Sequence, residues 1–83
     1  MRIVYFAWLR TRVGRAAEEV EPPADVTTVG ALMQWLALDR PGLAAALEAE
    51  GVVRCAVNQH YAEHDHPVRA GDEIALFPPV TGG

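Results

Sequence analysis

Few side chains in this sequence could do chemistry, and each has a plainer reading. The single cysteine, Cys55, sits among apolar residues within Val52–Asn58. A thiol there could act as a nucleophile. Apolar surroundings raise a thiol's pKa, however, and no cysteine-enzyme motif surrounds it, so a small buried hydrophobe is the better reading. His64 and His66, with His60, Glu63 and Asp65 nearby, could hold a metal. On a strand their spacing would place both imidazoles on one face. Pro67 follows at once and no second ligand pair stands at a zinc-like spacing, so a solvated loop is expected and no metal site is assigned. Glu18-Glu19 reads as a solvated strand or turn face rather than a catalytic pair. Asp72-Glu73 follows Gly71 and reads as turn chemistry. Trp8 and Trp35 read as core, because neither has the basic interleaving of a base-stacking platform.

The C-terminal run Pro78-Pro79-Val80-Thr81-Gly82-Gly83 is different. Two prolines bias its stem toward an extended form, and the two glycines, lacking Cβ, make its tip narrow. Such an arm reaches at most about 20 Å. It would present a carboxylate at the end of a thin, semi-stiff stem able to enter a partner's tunnel. A carboxylate becomes a good electrophile only once activated, for example as an acyl-adenylate. The chain has no phosphate-binding loop, so that activation must come from another protein.

Composition narrows the choices further. The 83 residues carry seven basic and eleven acidic side chains, a net charge of −4, and every basic residue is Arg. With no Ser there is no Ser-His-Asp nucleophile, and with no Lys there is no Schiff base. One Cys excludes an internal disulfide framework. The acidic balance argues against nucleic acid as a partner. The longest apolar run, Ile3–Leu9, is far too short to span a membrane, and Arg10 and Arg12 close it without a cleavage site, so a cytoplasmic protein without a membrane partner is expected.

The elements that must position the arm follow from pattern. Arg2–Leu9 is rich in aromatic and β-branched residues and predicts a buried strand. Thr11–Gly14 predicts a turn and Ala16–Val20 a second strand forming a hairpin with the first; Pro22-Pro23 ends it. Thr27-Thr28 offers a cap for a helix whose Val29, Leu32, Met33 and Leu36 form an i, i+3, i+4, i+7 stripe. Arg40-Pro41-Gly42 stops that helix, and Leu43–Glu50 predicts a short second one with Gly51 at its C-terminal cap. Val52–Asn58 predicts a strand with Val53, Cys55 and Val57 on one face. Gln59-His60-Tyr61 predicts a turn, and Glu63–Asp72 a loop with a short strand near His66–Val68. Glu73–Phe77 predicts the last strand. The large side chains available for a core are Ile3, Val4, Tyr5, Phe6, Trp8, Leu32, Met33, Leu36, Val57 and Ile74. This order makes an α+β domain, with one main helix packed across a mixed sheet as in the ubiquitin-like β-grasp. The expected organisation is a domain over residues 1–77 and an extended arm over 78–83.

The stretch Gly71-Asp72-Glu73-Ile74-Ala75-Leu76-Phe77-Pro78-Pro79-Val80-Thr81-Gly82-Gly83 closely resembles the C-terminus of the small, sulfur-carrier subunit of molybdopterin synthase. The resemblance extends to Ile3–Ala7 followed by Arg10 and Gly14, to Thr28-Val29 with Leu32, to Ala56–Gln59 and to Asp65-His66-Pro67. That family has a ubiquitin-like β-grasp fold. The resemblance implies that an ATP-dependent, ubiquitin-activating-like enzyme adenylates the Gly83 carboxylate and that a sulfur donor converts it to a thiocarboxylate. The arm then delivers sulfur to cyclic pyranopterin monophosphate inside the large synthase subunit, building molybdopterin. It further implies that Pro78, Pro79, Val80, Thr81 and Gly82 form the inserted arm, that Phe6, Tyr61 and Phe77 form the docking patch for both partners, and that Arg10 pairs with partner carboxylates. Tyr61 departs from the aliphatic residue common at its position. The expected assembly is a heterotetramer, with no cofactor held by this chain and ATP used by the partner.

Other functions share these features. A carrier for thiamine synthesis or tRNA thiolation would share the Gly-Gly end, though such carriers usually lack the Phe-Pro-Pro-Val-Thr run. A ubiquitin-like modifier would also end this way, and without Lys it could not build lysine-linked polymers on itself. A non-carrier interaction domain with an incidental tail is the fourth reading.

Overall fold

The computed structural model describes residues 1–48 and 53–79. In chain order these form β1 (Arg2–Tyr5), α1 (Trp8–Val13), β2 (Ala17–Glu19), α2 (Val29–Ala37), α3 (Pro41–Glu48), β3 (Arg54–Val57), β4 (His60–Ala62) and β5 (Glu73–Phe77). The strands make one mixed sheet in the order β2-β1-β5-β3-β4. Only β1 and β5 are parallel, with Ile3 beside Ile74 and Tyr5 beside Leu76. Period-two alternation turns Ile3, Tyr5, Cys55, Val57, Ile74 and Leu76 to one face. There they meet the buried Val29, Leu32, Met33 and Leu36 of α2 and Leu43 and Ala46 of α3.

The α2 stripe lies in the core as its spacing predicts. Thr28 caps the helix by accepting the Ala31 N–H on Oγ1 at 3.2 Å. The loop after β4 satisfies two more first-turn donors: Val29 N–H donates to the His66 carbonyl and Gly30 N–H to that of His64. Pro41 opens α3 rather than only closing α2, as suits a residue whose missing N–H is not needed in a first turn. The expected ending of this helix at Glu50, its cap at Gly51 and the strand start at Val52 lie outside the described residues.

Three sequence expectations are corrected. First, the strand over Arg2–Leu9 ends at Tyr5, and Trp8–Val13 is helix rather than strand and turn. Ala7 breaks the strand with φ 55° and ψ −138°, and Gly14 ends the helix at φ 92° while donating its N–H to the Arg10 carbonyl. Leu9 is thereby buried, while Trp8 remains well exposed with the Arg12 guanidinium 5.4 Å from its ring centroid. Phe6 is likewise exposed and Val4 half-buried, so neither they nor Trp8 belong to the buried core. Second, the β3–β4 turn is Asn58-Gln59, both at positive φ (50° and 72°), and His60 and Tyr61 are strand. Asn58 tolerates that conformation and is tied down: its Oδ1 accepts the Glu73 N–H and its Nδ2 donates to Asp72 Oδ1. Third, the short strand near His66–Val68 is a single bridge between Pro67 and Thr28.

Glu18 also departs from the solvated face expected of it. Its register opposite Ile3 points it to the helix side, where its side chain is only 8% exposed. It accepts the Tyr5 hydroxyl at 2.6 Å, the Arg40 Nε at 2.7 Å and the Arg15 Nη1 at 3.0 Å. A second Arg40 nitrogen completes a forked ion pair with it, and Arg40 Nη1 also donates to the Leu36 carbonyl. These bonds join β1, β2 and the end of α2. Among the described residues, no buried side-chain N or O lacks a hydrogen-bond partner.

The Arg40 hydrogen bonds, aided by those from Tyr5, hold the Glu18 carboxyl at about 2 against an ordinary 4.5. A depressed carboxylate stabilises the fold fully above its unfolded pKa, and this is lost as pH falls from 4.5 toward 2. Glu18→Gln is therefore expected to lose about 3 kcal/mol at neutral pH, by stranding Arg40, and to flatten thermal stability across that acid window; melting temperature against pH measures both. Gln59→Gly is expected to stabilise the hairpin by about 1 kcal/mol, because glycine adopts positive φ without strain, read as a higher urea midpoint.

Candidate docking face and arm

No helix among the described residues covers the second face of the sheet. Alternation puts Val4 on it from β1, Ala75 and Phe77 from β5, Arg54 and Ala56 from β3, and Tyr61 from β4. Phe6 continues the β1 side past the end of the strand: its N–H donates to the Leu76 carbonyl at 3.0 Å, which sets it beside Phe77. Tyr61 shares a register row with small Ala56 and Ala75, and Phe77 lies in the next row toward the end of β5. Phe6 is 49% and Tyr61 83% exposed. The Tyr61 and Phe77 rings are 5.7 Å apart, tilted at 51°. Exposed aromatics gathered in this way are unusual on a surface that meets only water.

The three aromatics predicted as a patch are thus brought to the same end of the sheet, where β5 runs out into Pro78 and Pro79. Val80, Thr81, Gly82 and Gly83 lie outside the described residues. Beside the base of the arm is a cavity of about 420 Å³ whose walls include Arg54, Tyr61, Phe77 and Pro79, with the buried Met33 and Cys55. A larger cavity, about 580 Å³, lies between Met1, Val20, Pro22 and Val68 at the start of β1. The parallel pairing of β1 and β5 places that cavity at the opposite end from the arm, so the smaller one is the candidate site. Arg10 is exposed on α1 and does not line the smaller cavity. Arg54 does, and sequence reading passed over it. Its signal was available: it alternates with buried Cys55 in β3 and therefore belongs on the outer face.

Of the other candidates, Cys55 and His64 also line the smaller cavity. His64 and His66 lie in the loop that supports α2 through its backbone carbonyls, and among the described residues no three of His, Cys, Asp and Glu gather around a point. Asp72 makes a turn, accepting the Arg69 N–H on Oδ2. Cys55 is buried between Leu76 and Ala62 in the sheet, and burial pushes its thiol up to about 12. No helix among the described residues is long and apolar enough to cross a membrane.

Helices α2 and α3 packed on one face of a mixed sheet with a parallel β1–β5 pair define a ubiquitin-like β-grasp protein. The chain belongs to the ThiS family, whose model matches residues 3–83, and it stands beside the sulfur-carrier subunits of molybdopterin synthase. It is 47% identical over 83 residues to the molybdopterin synthase sulfur carrier subunit of Escherichia coli, covering 100% of this chain and 99% of that one. Among solved structures it resembles the small archaeal modifier protein 1 of Haloferax volcanii, with a TM-score of 0.79, 30% identity and 95% of each chain covered. The complex of subunits 1 and 2 of the molybdopterin-converting factor from Helicobacter pylori shares the fold at a TM-score of 0.64 and 24% identity, over 99% of this chain and 96% of that one.

The Cys55 thiol is expected to resist alkylation by iodoacetamide at neutral pH in the folded protein and to react readily in urea, because both burial and a raised pKa suppress the thiolate. Mass spectrometry of timed samples reads the difference.

Proposed function

We propose that this chain is a sulfur carrier of molybdenum cofactor biosynthesis, acting through the main-chain carboxylate of Gly83. The observation that carries the reading is a full-length match at 47% identity to a carrier subunit, joined to a Phe-Pro-Pro-Val-Thr-Gly-Gly tail leaving the aromatic end of the sheet. A ubiquitin-activating-like enzyme docks on Phe6, Tyr61 and Phe77 and adenylates the Gly83 carboxylate with ATP, releasing pyrophosphate. Sulfide supplied by the donor then attacks the acyl carbon, the acyl–phosphate bond breaks and AMP leaves, so that Gly83 ends in a thiocarboxylate. The same face next docks on the large synthase subunit, with Arg10 paired to a partner carboxylate. The arm 78–83 enters its active site, and sulfur passes to cyclic pyranopterin monophosphate. The domain 1–77 is the handle, and the assembly is a heterotetramer of two small and two large subunits in the cytoplasm. The chain's part is to be recognised and to present one terminal group.

The apolar docking face supports this reading, since successive partners must bind and release it and aromatic side chains give contact area at low entropic cost. Incubation with the adenylating enzyme, ATP and a sulfur donor is expected to raise the chain's mass by the difference between sulfur and oxygen. Deleting Gly82-Gly83 is expected to abolish that gain while changing the melting temperature little. The intact chain is expected to restore molybdoenzyme activity to a strain lacking its carrier, which a thiamine or tRNA carrier would not do. A mass that never changes would overturn the proposal.

A further inference from the structure

Phe77 and Arg54 share one corner of the outer face. The two are directly paired across β5 and β3, in the last register position of β5. Both line the same cavity, so a partner seated over the ring meets the arginine as well. A cation taken out of water without a counter-charge opposes binding strongly.

Among the described residues Arg54, like Arg10, Arg12 and Arg69, has no ion-pair partner, but of these only Arg54 lines the cavity beside Phe77. Arg2 meets Glu19, Arg15 and Arg40 meet Glu18, and Arg12 lies over Trp8. Among the described residues no carboxylate lies within ion-pair distance of Arg54. Glu63 lines the same cavity, and Glu73 lies on the same face at the far end of β5, yet neither reaches it. In a chain of net charge −4 this is an exposed cation beside Phe77 with no carboxylate on its fork.

We propose that Arg54 is a specificity-determining residue of the docking face, and that the large subunit seated over Phe77 brings an Asp or Glu carboxylate to its guanidinium. The inference rests on the docking reading above. Arginine's planar fork suits a carboxylate bidentately, so this pair would fix the register of the partner relative to the arm. It would also reject a partner with an apolar or basic residue at that position.

The test is calorimetric affinity for the large synthase subunit encoded in the same genome, over a series of salt concentrations. Arg54→Gln is expected to weaken binding about 30-fold and to flatten its salt dependence, and Arg54→Glu to weaken it further. Arg69→Gln makes the same change in net charge far from the face and is expected to stay within about twofold. Phe77→Ala, checked for an unchanged melting temperature, reports on the face itself. If Phe77→Ala weakens binding and Arg54→Gln does not, Arg54 has no such role and the docking reading stands. Equal losses in Arg54→Gln and Arg69→Gln would also overturn the proposal, as an effect of net charge alone. If Phe77→Ala leaves affinity unchanged, the docking reading fails and this inference fails with it.

Discussion

The parallel pairing of β1 with β5 is the constraint on which the rest of the structure depends. β2 and β3 each run antiparallel to this pair, on its two sides, so they run parallel to each other and cannot be joined by a tight turn. The long connection between them contains α2 and α3, which cover one face of the sheet. The same pairing sets β5 between β1 and β3 at the centre of the sheet. It also brings Phe6, near the start of the sequence, beside Phe77, near its end. An aromatic patch at the base of the arm is thus a consequence of register rather than of local sequence.

The two faces divide the physical work. On the helix side, Glu18 anchors a network of Tyr5, Arg15 and Arg40 that ties the edge strand β2 to the end of α2. A charged network of this kind adds little net stability over apolar packing, but it penalises alternatives in which one partner is left unpaired. On the outer side the middle of the sheet carries Ala56 and Ala75, and the bulk is concentrated in Phe6, Tyr61 and Phe77. The surface there is low in the centre and aromatic at the rim nearest the arm.

Much of this was legible in the sequence. The α2 stripe, the cap at Thr28 and the alternation of β5 were clear because each depends on residues within a few positions of one another. The failures came where local patterns were ambiguous or partners distant. Ile3–Leu9 is a continuous apolar run, which fits a strand or a buried helix equally well. What divides it is the backbone of Ala7 and the burial of Leu9, although Trp8 and Arg12 at i, i+4 and Gly14 as a cap were signs of α1. Asn58 was the better marker of the hairpin turn, since it accepts positive φ more readily than His60 or Tyr61. Glu18 looked solvated because its partner Arg40 lies 22 residues away, and no periodicity reports such a distance. The patch was legible only through resemblance, and Arg54 needed the register with Phe77.

The central position of β5 also bears on mechanics. A pull on the chain beyond Phe77 is transmitted directly along β5. That strand is bonded on both sides, to β1 and to β3, so the load falls on two ladders at once. It acts along the strands, so the hydrogen bonds are sheared together rather than opened one after another. A tail continued from an edge strand such as β4 could be peeled away bond by bond. Placed as it is, β5 meets a pull on the chain beyond Phe77 with two ladders in shear rather than one in peel.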